Sequence, residues 1–337
     1  MKKIFLILTV AFMSILAGCV QNSEPVEMPG PLSDFEYSEN QNGSITITDY
    51  LGTDTDIVIP AEIDGKTVTQ IGWEAFAYNE DIVSVKIPDS VTVIDTDAFS
   101  SCTSLSSVSL SQNLESIGDA AFAGCTKLTA ISLPPSLNYI GYSVFMSCTE
   151  LSEIVLPEAL TCLGAHAFEN CTALKYIKIP SGIKEIDWAT FIKSGLEVVE
   201  LGEGLEKIGR EAFSETKLTT VILPKTVTEI GYNAFYNCTD LESVTLNERL
   251  TTIANGALGG QSKLTEITIP ASVTDMGEEV FNYCNTLQAV KFEGNAPANY
   301  QTKYPEWLHD VNYTVYYHKG ATGFTSPEWC GYPTEIW

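Results

Sequence analysis

Few side chains of this sequence combine the types and the spacing that catalysis requires. Of its three histidines, His166, His309 and His318, only His309 is followed by a carboxylate, that of Asp310. Neither a G-x-S-x-G nucleophile motif nor an H-E-x-x-H zinc motif occurs, and no glycine-rich phosphate loop is present. The Asp-Thr-Asp sequence at residues 54–56 lacks the spaced acidic residues of a calcium loop and is interpreted as a turn. We therefore expect a protein that is not an enzyme, with no cofactor and no metal site.

The N-terminus carries a more specific chemical signal. Lys2 and Lys3 precede an apolar run at residues 4–16, which is too short to span a bilayer and suits a signal peptide. The Leu-Ala-Gly-Cys sequence that ends at Cys19 looks like a bacterial lipobox, in which the cysteine thiolate takes up diacylglycerol before cleavage. We predict a signal peptide at residues 1–18 and a lipidated Cys19 that anchors the chain to a membrane. An ordinary secretory signal with an accidental cysteine is the alternative.

A second group of cysteines shares one position of a repeating pattern. In an exported chain such residues could form disulfides, since adjacent equivalents would lie about 5 Å apart. Their side chains would point in parallel into the core, which favours an unpaired buried ladder. Cys162 and Cys330 lie outside this ladder position. The six cysteines of the ladder are Cys102, Cys125, Cys148, Cys171, Cys238 and Cys284.

The repeating pattern itself is marked by phenylalanine at intervals of 22 or 23 residues. A small or β-branched residue precedes each one, and Leu258 fills the single gap. Ten units in phase indicate a repeat architecture rather than ordinary globular domains. The phenylalanines are Phe76, Phe99, Phe122, Phe145, Phe168, Phe191, Phe213, Phe235 and Phe281.

One unit, residues 114–136, shows the local structure that each repeat predicts. Leu128, Ile131 and Leu133 match the L-x-x-L-x-L strand of leucine-rich repeats, with Ile131 and Leu133 on one face. Proline follows most of these strands, where its missing N–H ends the ladder. An Ile-Gly pair is interpreted as a turn, and the segment around Ala-Phe as a helical or 3₁₀ turn on the opposite edge.

Such a unit buries its apolar side chains only when neighbours stack on it, so the sequence predicts a solenoid. The pattern L-x-x-I-G-x-x-A-F-x-x-C-x-x-L-x-x-V-x-L-P resembles the BspA-like leucine-rich repeat family of bacterial surface lipoproteins. The resemblance implies a curved, right-handed, mostly β solenoid of α/β leucine-rich-repeat type, with a parallel sheet on its concave face. It covers about ten repeats, and flanking segments similar to the family's caps close both ends.

The charge balance of the chain limits its possible partners. There are 43 acidic against 18 basic residues, for a net charge of −25, which disfavours nucleic acid as a partner. We expect a monomer attached to the cell surface, with five segments along the chain. These are the signal peptide at 1–18, Cys19 with a flexible tether at 19–39, an N-terminal β cap at 40–67, the repeats at 68–292 and a C-terminal cap at 293–337.

The strand residues that point away from the core are the candidates for binding. Most are small or polar, but four apolar groups and one lysine fall on adjacent strands of the middle repeats. An exposed apolar patch often marks a partner site, while β propensity on a solvated sheet is the alternative explanation. The predicted partner-binding residues are Val155, Tyr176, Lys178, Val198 and Ile222. The aromatic C-terminal cap around Trp307 and Trp329 is the second candidate location.

Three functions remain compatible with these observations. The first, which the resemblance implies, is a non-catalytic lipid-anchored surface protein whose solenoid adheres to host proteins or other cells. The second is a structural envelope stalk without a dedicated ligand. The third is a carbohydrate-binding surface protein, although the aromatic residues that sugar sites use are concentrated in the C-terminal cap and no carboxylate pair stands out.

Overall fold

Each repeat unit forms two short strands joined by turns, and successive units stack into a mostly β, parallel solenoid of about twelve turns. The computed structural model describes residues 31–298, 300 and 313–337. The signal peptide, Cys19, Trp307 and His309 therefore lie outside the described residues. The predicted solenoid is confirmed. It has more turns than the ten predicted repeats because strands of both caps stack onto it.

The strands that carry the predicted L-x-x-V-x-L triplet form what we call stack 1. Equivalent residues of neighbouring turns pair in parallel, as Ser84 does with Ser107 and Lys86 with Ser109. The strands of stack 1 are β3 (Asp56–Val58), β6 (Ser84–Lys86), β8 (Ser107–Ser109), β10 (Ala130–Ile131), β12 (Glu153–Ile154), β14 (Tyr176–Lys178), β16 (Val198–Glu200), β18 (Thr220–Ile222), β20 (Ser243–Thr245), β22 (Glu266–Ile269) and β24 (Ala289–Phe292).

A second series of strands, stack 2, was not predicted. The isoleucine of each Ile-Gly pair belongs to a short strand here, and only the glycine begins a turn. Gly118 is required because a Cβ there would lie 2.6 Å from the backbone nitrogen of Thr96 in the preceding turn. The strands of stack 2 are β5 (Lys66–Ile71), β7 (Val93–Ile94), β9 (Ser116–Ile117), β11 (Tyr139–Ile140), β13 (Cys162–Leu163), β15 (Glu185–Ile186), β17 (Lys207–Ile208), β19 (Glu229–Ile230), β21 (Thr252–Ile253) and β23 (Asp275–Met276).

The repeat phenylalanines form a continuous column inside the solenoid. From Phe76 to Phe235, successive rings are stacked with centroids 4.8–5.8 Å apart and planes within 17° of each other. All of them are buried, and Leu258 continues the column where the phenylalanine is missing. The column makes the interior almost identical from one turn to the next.

The segment around each repeat phenylalanine is a pair of tight turns, not the predicted helical or 3₁₀ turn. On either side of Phe99, Asp97 and Ser101 adopt left-handed φ angles of 54° and 58°. The amide of Phe99 donates to the carbonyl of Ala121 in the next turn at 2.8 Å. The amides of Asp97 and Ser101 donate to other carbonyls of that same turn. A helix would commit these amides to its own carbonyls. Stacking between turns uses them instead.

The six ladder cysteines are unpaired and buried, as their spacing predicts. Each thiol also donates a hydrogen bond to a backbone carbonyl of the preceding turn, for example Cys125 Sγ to Phe99 O at 3.2 Å. Where glutamine replaces cysteine, Gln261 Nε2 donates to the equivalent carbonyl of Phe235 at 2.7 Å. The cysteines thus act as hydrogen-bond donors as well as small apolar residues.

Both ends of the solenoid are covered by additional strands and aromatic side chains. At the start, β1 (Phe35–Glu39) pairs antiparallel with β2 (Ile45–Tyr50), and a hairpin strand β4 (Glu62–Ile63) follows. The folded part therefore begins before the predicted boundary at residue 40. A 3₁₀ helix at Leu32–Asp34 precedes β1. In the part of the chain that the structure describes, no helix is long and apolar enough to cross a membrane.

At the other end, β24 pairs with β25 (Thr314–Tyr317), which pairs with β27 (Tyr332–Ile336); β26 (Glu328–Trp329) completes the cap. The hydroxyl groups of Tyr300 and Tyr313 are 2.9 Å apart inside this cap, and burial raises the pKa of Tyr313 well above its usual value. Trp329 is buried against Tyr300. It is thus part of the cap's core and not an exposed anchor for a partner, which removes it from the second candidate location.

Candidate functional site

The outward face of stack 1 is built by the alternation of side chains along each strand. In β14, Ile177 is buried while Tyr176 and Lys178 point to solvent. The parallel register places Tyr176 beside Val198 and Lys178 beside Glu200 of the next turn. Because the register repeats in every turn, outward residues form two columns that run along the solenoid axis about 4.8 Å per step.

The structure places all five predicted binding residues on this face. Val155, Ile222, Val198 and Tyr176 are exposed by 80, 65, 48 and 46%, and Lys178 is exposed too. Val198 and Tyr176 are neighbours in one column, whereas Val155 and Ile222 occupy the other. We call these four apolar residues and Lys178 the middle patch.

Charged groups occupy the centre of the middle patch. Lys178 Nζ lies 2.7 Å from Glu158 Oε1, and this hydrogen bond raises the pKa of Lys178. Partial burial, and then hydrogen bonding to the Glu200 carboxylate, raises the pKa of Tyr176. Tyr176 therefore keeps its proton at neutral pH and offers both a ring and a hydroxyl to a partner.

A groove of about 510 Å³ opens beside the middle patch, and the sequence analysis did not predict it. Ser132 and Leu133 line it from one turn, and Val155 and Pro157 line it from the next. Glu158 is also part of the lining. The signal that could have revealed it is the change from small outward residues on β10 to larger ones on β12.

A ladder of planar side chains on the turn edge is another feature that the sequence analysis missed. The Arg210 guanidinium lies 5.6 Å from the ring centroid of Trp188 and 5.2 Å from that of Tyr232. On its other side, Trp188 meets His166 edge to face at 4.6 Å. Trp188, Arg210 and Tyr232 stand three positions before the repeat phenylalanine in successive turns, a spacing that was visible in the sequence. These contacts join side chains of successive turns along the edge of the solenoid.

The histidines within the described residues do not converge on a site. His166 Nδ1 lies 2.6 Å from Glu169 Oε2, and His318 lies in the C-terminal cap, 3.5 Å from Glu293. Among the described residues, no group of three histidine, cysteine, aspartate or glutamate side chains could hold a metal ion.

Comparison with known proteins gives a consistent result. The family model for the BspA-type leucine-rich repeat region matches residues 69–197 and 185–300 in six copies. No curated protein matches the chain. A leucine-rich repeat protein of T. pallidum is 33% identical and aligns over 56% of this chain and 89% of its own, with a TM-score of 0.53.

Two further solved structures share the fold at lower identity. A leucine-rich cell surface protein of Faecalibacterium prausnitzii is 22% identical over 93% of this chain and 95% of its own, with a TM-score of 0.55. The pneumococcal vaccine antigen PcpA is 20% identical over 85% of this chain and 92% of its own, also with a TM-score of 0.55.

Proposed function

Since the chain belongs to the BspA-type leucine-rich repeat family, we propose that it is a non-catalytic protein of the bacterial cell surface whose solenoid binds a macromolecule outside the cell. The proposed partners are host proteins or the surfaces of other cells. A structure similar to this one is described as a cell surface protein, which supports the location.

The observation that carries the proposal is the middle patch. Inside the solenoid, the same phenylalanine column runs through the patch and through the turns before it. The packing of the interior therefore requires the same buried residues in the patch turns and in the turns before them. The middle turns expose Tyr176 next to Val198 and Lys178, and tyrosine is enriched among the hot-spot residues of binding interfaces.

The binding experiment uses the purified chain against a panel of immobilised host matrix proteins, whole cells and a glycan array. Tyr176→Ala is expected to weaken binding about thirtyfold, because a hot-spot truncation costs about 2 kcal/mol. Tyr142→Ala is the matched control, because Tyr142 is also an exposed tyrosine but follows stack 2. Equal binding by both variants and the wild type would remove the patch from the proposal.

Two other results of the same experiment would favour the alternative functions, a carbohydrate-binding protein or a structural stalk. Capture of glycans alone, unaffected by Tyr176→Ala, would favour a carbohydrate-binding protein. No capture by the wild type on any part of the panel would favour a structural stalk without a dedicated ligand.

We also propose that the chain is exported and held at the membrane through lipidated Cys19. The support is the apolar run at residues 4–16 and the small residues before the cysteine. Metabolic labelling with an alkyne fatty acid should mark the wild type and leave Cys19→Ser unlabelled. Label retained on Cys19→Ser would contradict the anchor while leaving the binding proposal untouched.

A further inference from the structure

The groove beside the middle patch arises from a change in side-chain size between two turns. On β10 the outward residue Ala130 pairs with Glu153 on β12, so a small side chain faces a large one across the step. Ser132 and Val155 repeat this contrast one position further along. Beneath them, the inward-pointing Ile131 and Ile154 belong to the lining of the groove.

The packing of the buried core does not depend on the groove being open. Ile131 and Ile154 are 5 and 7% exposed, more than the equivalent Ile177 and Val221 but less than Val199 and Val244. Larger outward residues at positions 130 and 132 would cover the two isoleucines and bury more apolar surface. The groove therefore leaves part of the apolar interior within reach of another molecule.

The chemistry of the lining selects among possible occupants. Its side chains are aliphatic or proline, apart from one serine and the carboxylates of Glu153 and Glu158. No aromatic platform for a sugar ring and no cation for a phosphate lines it. An aliphatic group next to a positive charge is the complement of such a surface.

The two carboxylates differ in how far they are neutralised. Glu158 accepts a hydrogen bond from Lys178. Glu153 is exposed and forms no ion pair with any residue that the structure describes. The acidic chain, with its net charge of −25, adds a long-range attraction for cationic partners. Glu153 is thus the carboxylate available to a partner.

We propose that this groove receives an extended segment of a partner protein, with an aliphatic side chain over Ile131 and Ile154 and a neighbouring Lys or Arg paired with Glu153. The proposal rests on the proposed binding function and specifies the chemistry of the partner. It extends the binding surface from the middle patch onto β10.

The test uses a phage-displayed library of random peptides selected on the immobilised full-length protein. Peptides with an aliphatic residue close to Lys or Arg should be enriched. Ser132→Trp, which fills the groove, should abolish their binding, and Glu153→Gln should weaken it about tenfold. Ser243→Trp on β20 is the matched control, because it adds the same bulk to an exposed outward serine elsewhere and should leave binding unchanged.

Other outcomes would overturn the assignment. These are peptides without a basic residue, peptides that bind Ser132→Trp as well as the wild type, and a library that yields no selective binder. A concentration-dependent dimer in light scattering that Ser132→Trp dissolves would identify a second copy of the chain as the occupant, and would equally overturn it.

Tyr176→Ala separates this proposal from the broader binding function. Selected peptides that lose affinity for Ser132→Trp but not for Tyr176→Ala would support the groove alone. Binding of the matrix-protein and cell panel that depends on Tyr176 but tolerates Ser132→Trp would support the proposed function and overturn the groove. A circular dichroism melt of each variant confirms that the fold is retained.

Discussion

The early and middle turns of the solenoid are alike inside and different outside. On β8 and β10, in the early turns, the outward residues of stack 1 are small, namely Ser107, Ser109 and Ala130. In the middle turns the same positions carry Tyr176 and Val198. The interior residues at both places are buried aliphatic and phenylalanine side chains. The outward difference is not needed to fill the interior, and it is the basis of the proposed role in recognition.

Removing a repeat phenylalanine should give the largest effect and should be equal in the two regions. Phe122→Ala in an early turn and Phe168→Ala in a middle turn should each destabilise the fold by about 3–5 kcal/mol, because both rings are fully buried between stacked neighbours. Urea unfolding measures both, with Glu150→Ala as an exposed control. A cost that differs several-fold between them would break the premise that the interiors are equivalent.

Removing a ladder thiol should lower the free energy of unfolding by a smaller amount, equal in the early and middle turns. Cys125→Ala and Cys171→Ala should each cost about 0.5–1.5 kcal/mol, because the carbonyl of Phe99 or Phe145 loses its thiol donor and keeps only a backbone amide donor. The corresponding serine variants keep a donor and should lose less. A serine variant that is no more stable than its alanine counterpart would show that sulfur packing alone matters.

The same thiols should be unreactive in the folded protein. Burial raises the pKa of Cys102 and of Cys284 to about 12, so the neutral thiol predominates up to and beyond pH 9. Alkylation followed by intact-mass analysis should modify the six ladder cysteines only after denaturation. Modification in the folded state at pH 8, or mass loss from disulfides, would contradict the buried ladder.

The sequence predicted the periodic parts of the structure well. A residue type that recurs at a fixed spacing, such as Phe122 and Cys125, can only be explained by equivalent positions in stacked units. The outward direction of Tyr176 followed from the alternation in a strand. Stack 2 was missed because a strand of two residues, such as β9, is too short to show alternation.

Other features depended on contacts between turns, which one repeat cannot reveal. A helical or 3₁₀ turn was expected on the edge opposite the strand, but the amide of Phe99 donates to a carbonyl of the next turn. The groove depends on the difference between Ser132 and Val155, which are one turn apart. The position of Arg210 between Trp188 and Tyr232 likewise depends on side chains from three successive turns.

The central claim is that the outward residues of the middle turns serve binding and not folding. The most direct measurement compares binding and urea unfolding of one variant in which Val155, Tyr176, Val198 and Ile222 are all replaced by serine, the residue of the early turns. We predict loss of binding to the panel member that the wild type captures, with an unfolding free energy within about 2 kcal/mol of the wild type, since each surface substitution contributes about 0.5 kcal/mol or less. Retained binding, or a collapse of stability like that of Phe168→Ala, would contradict the account.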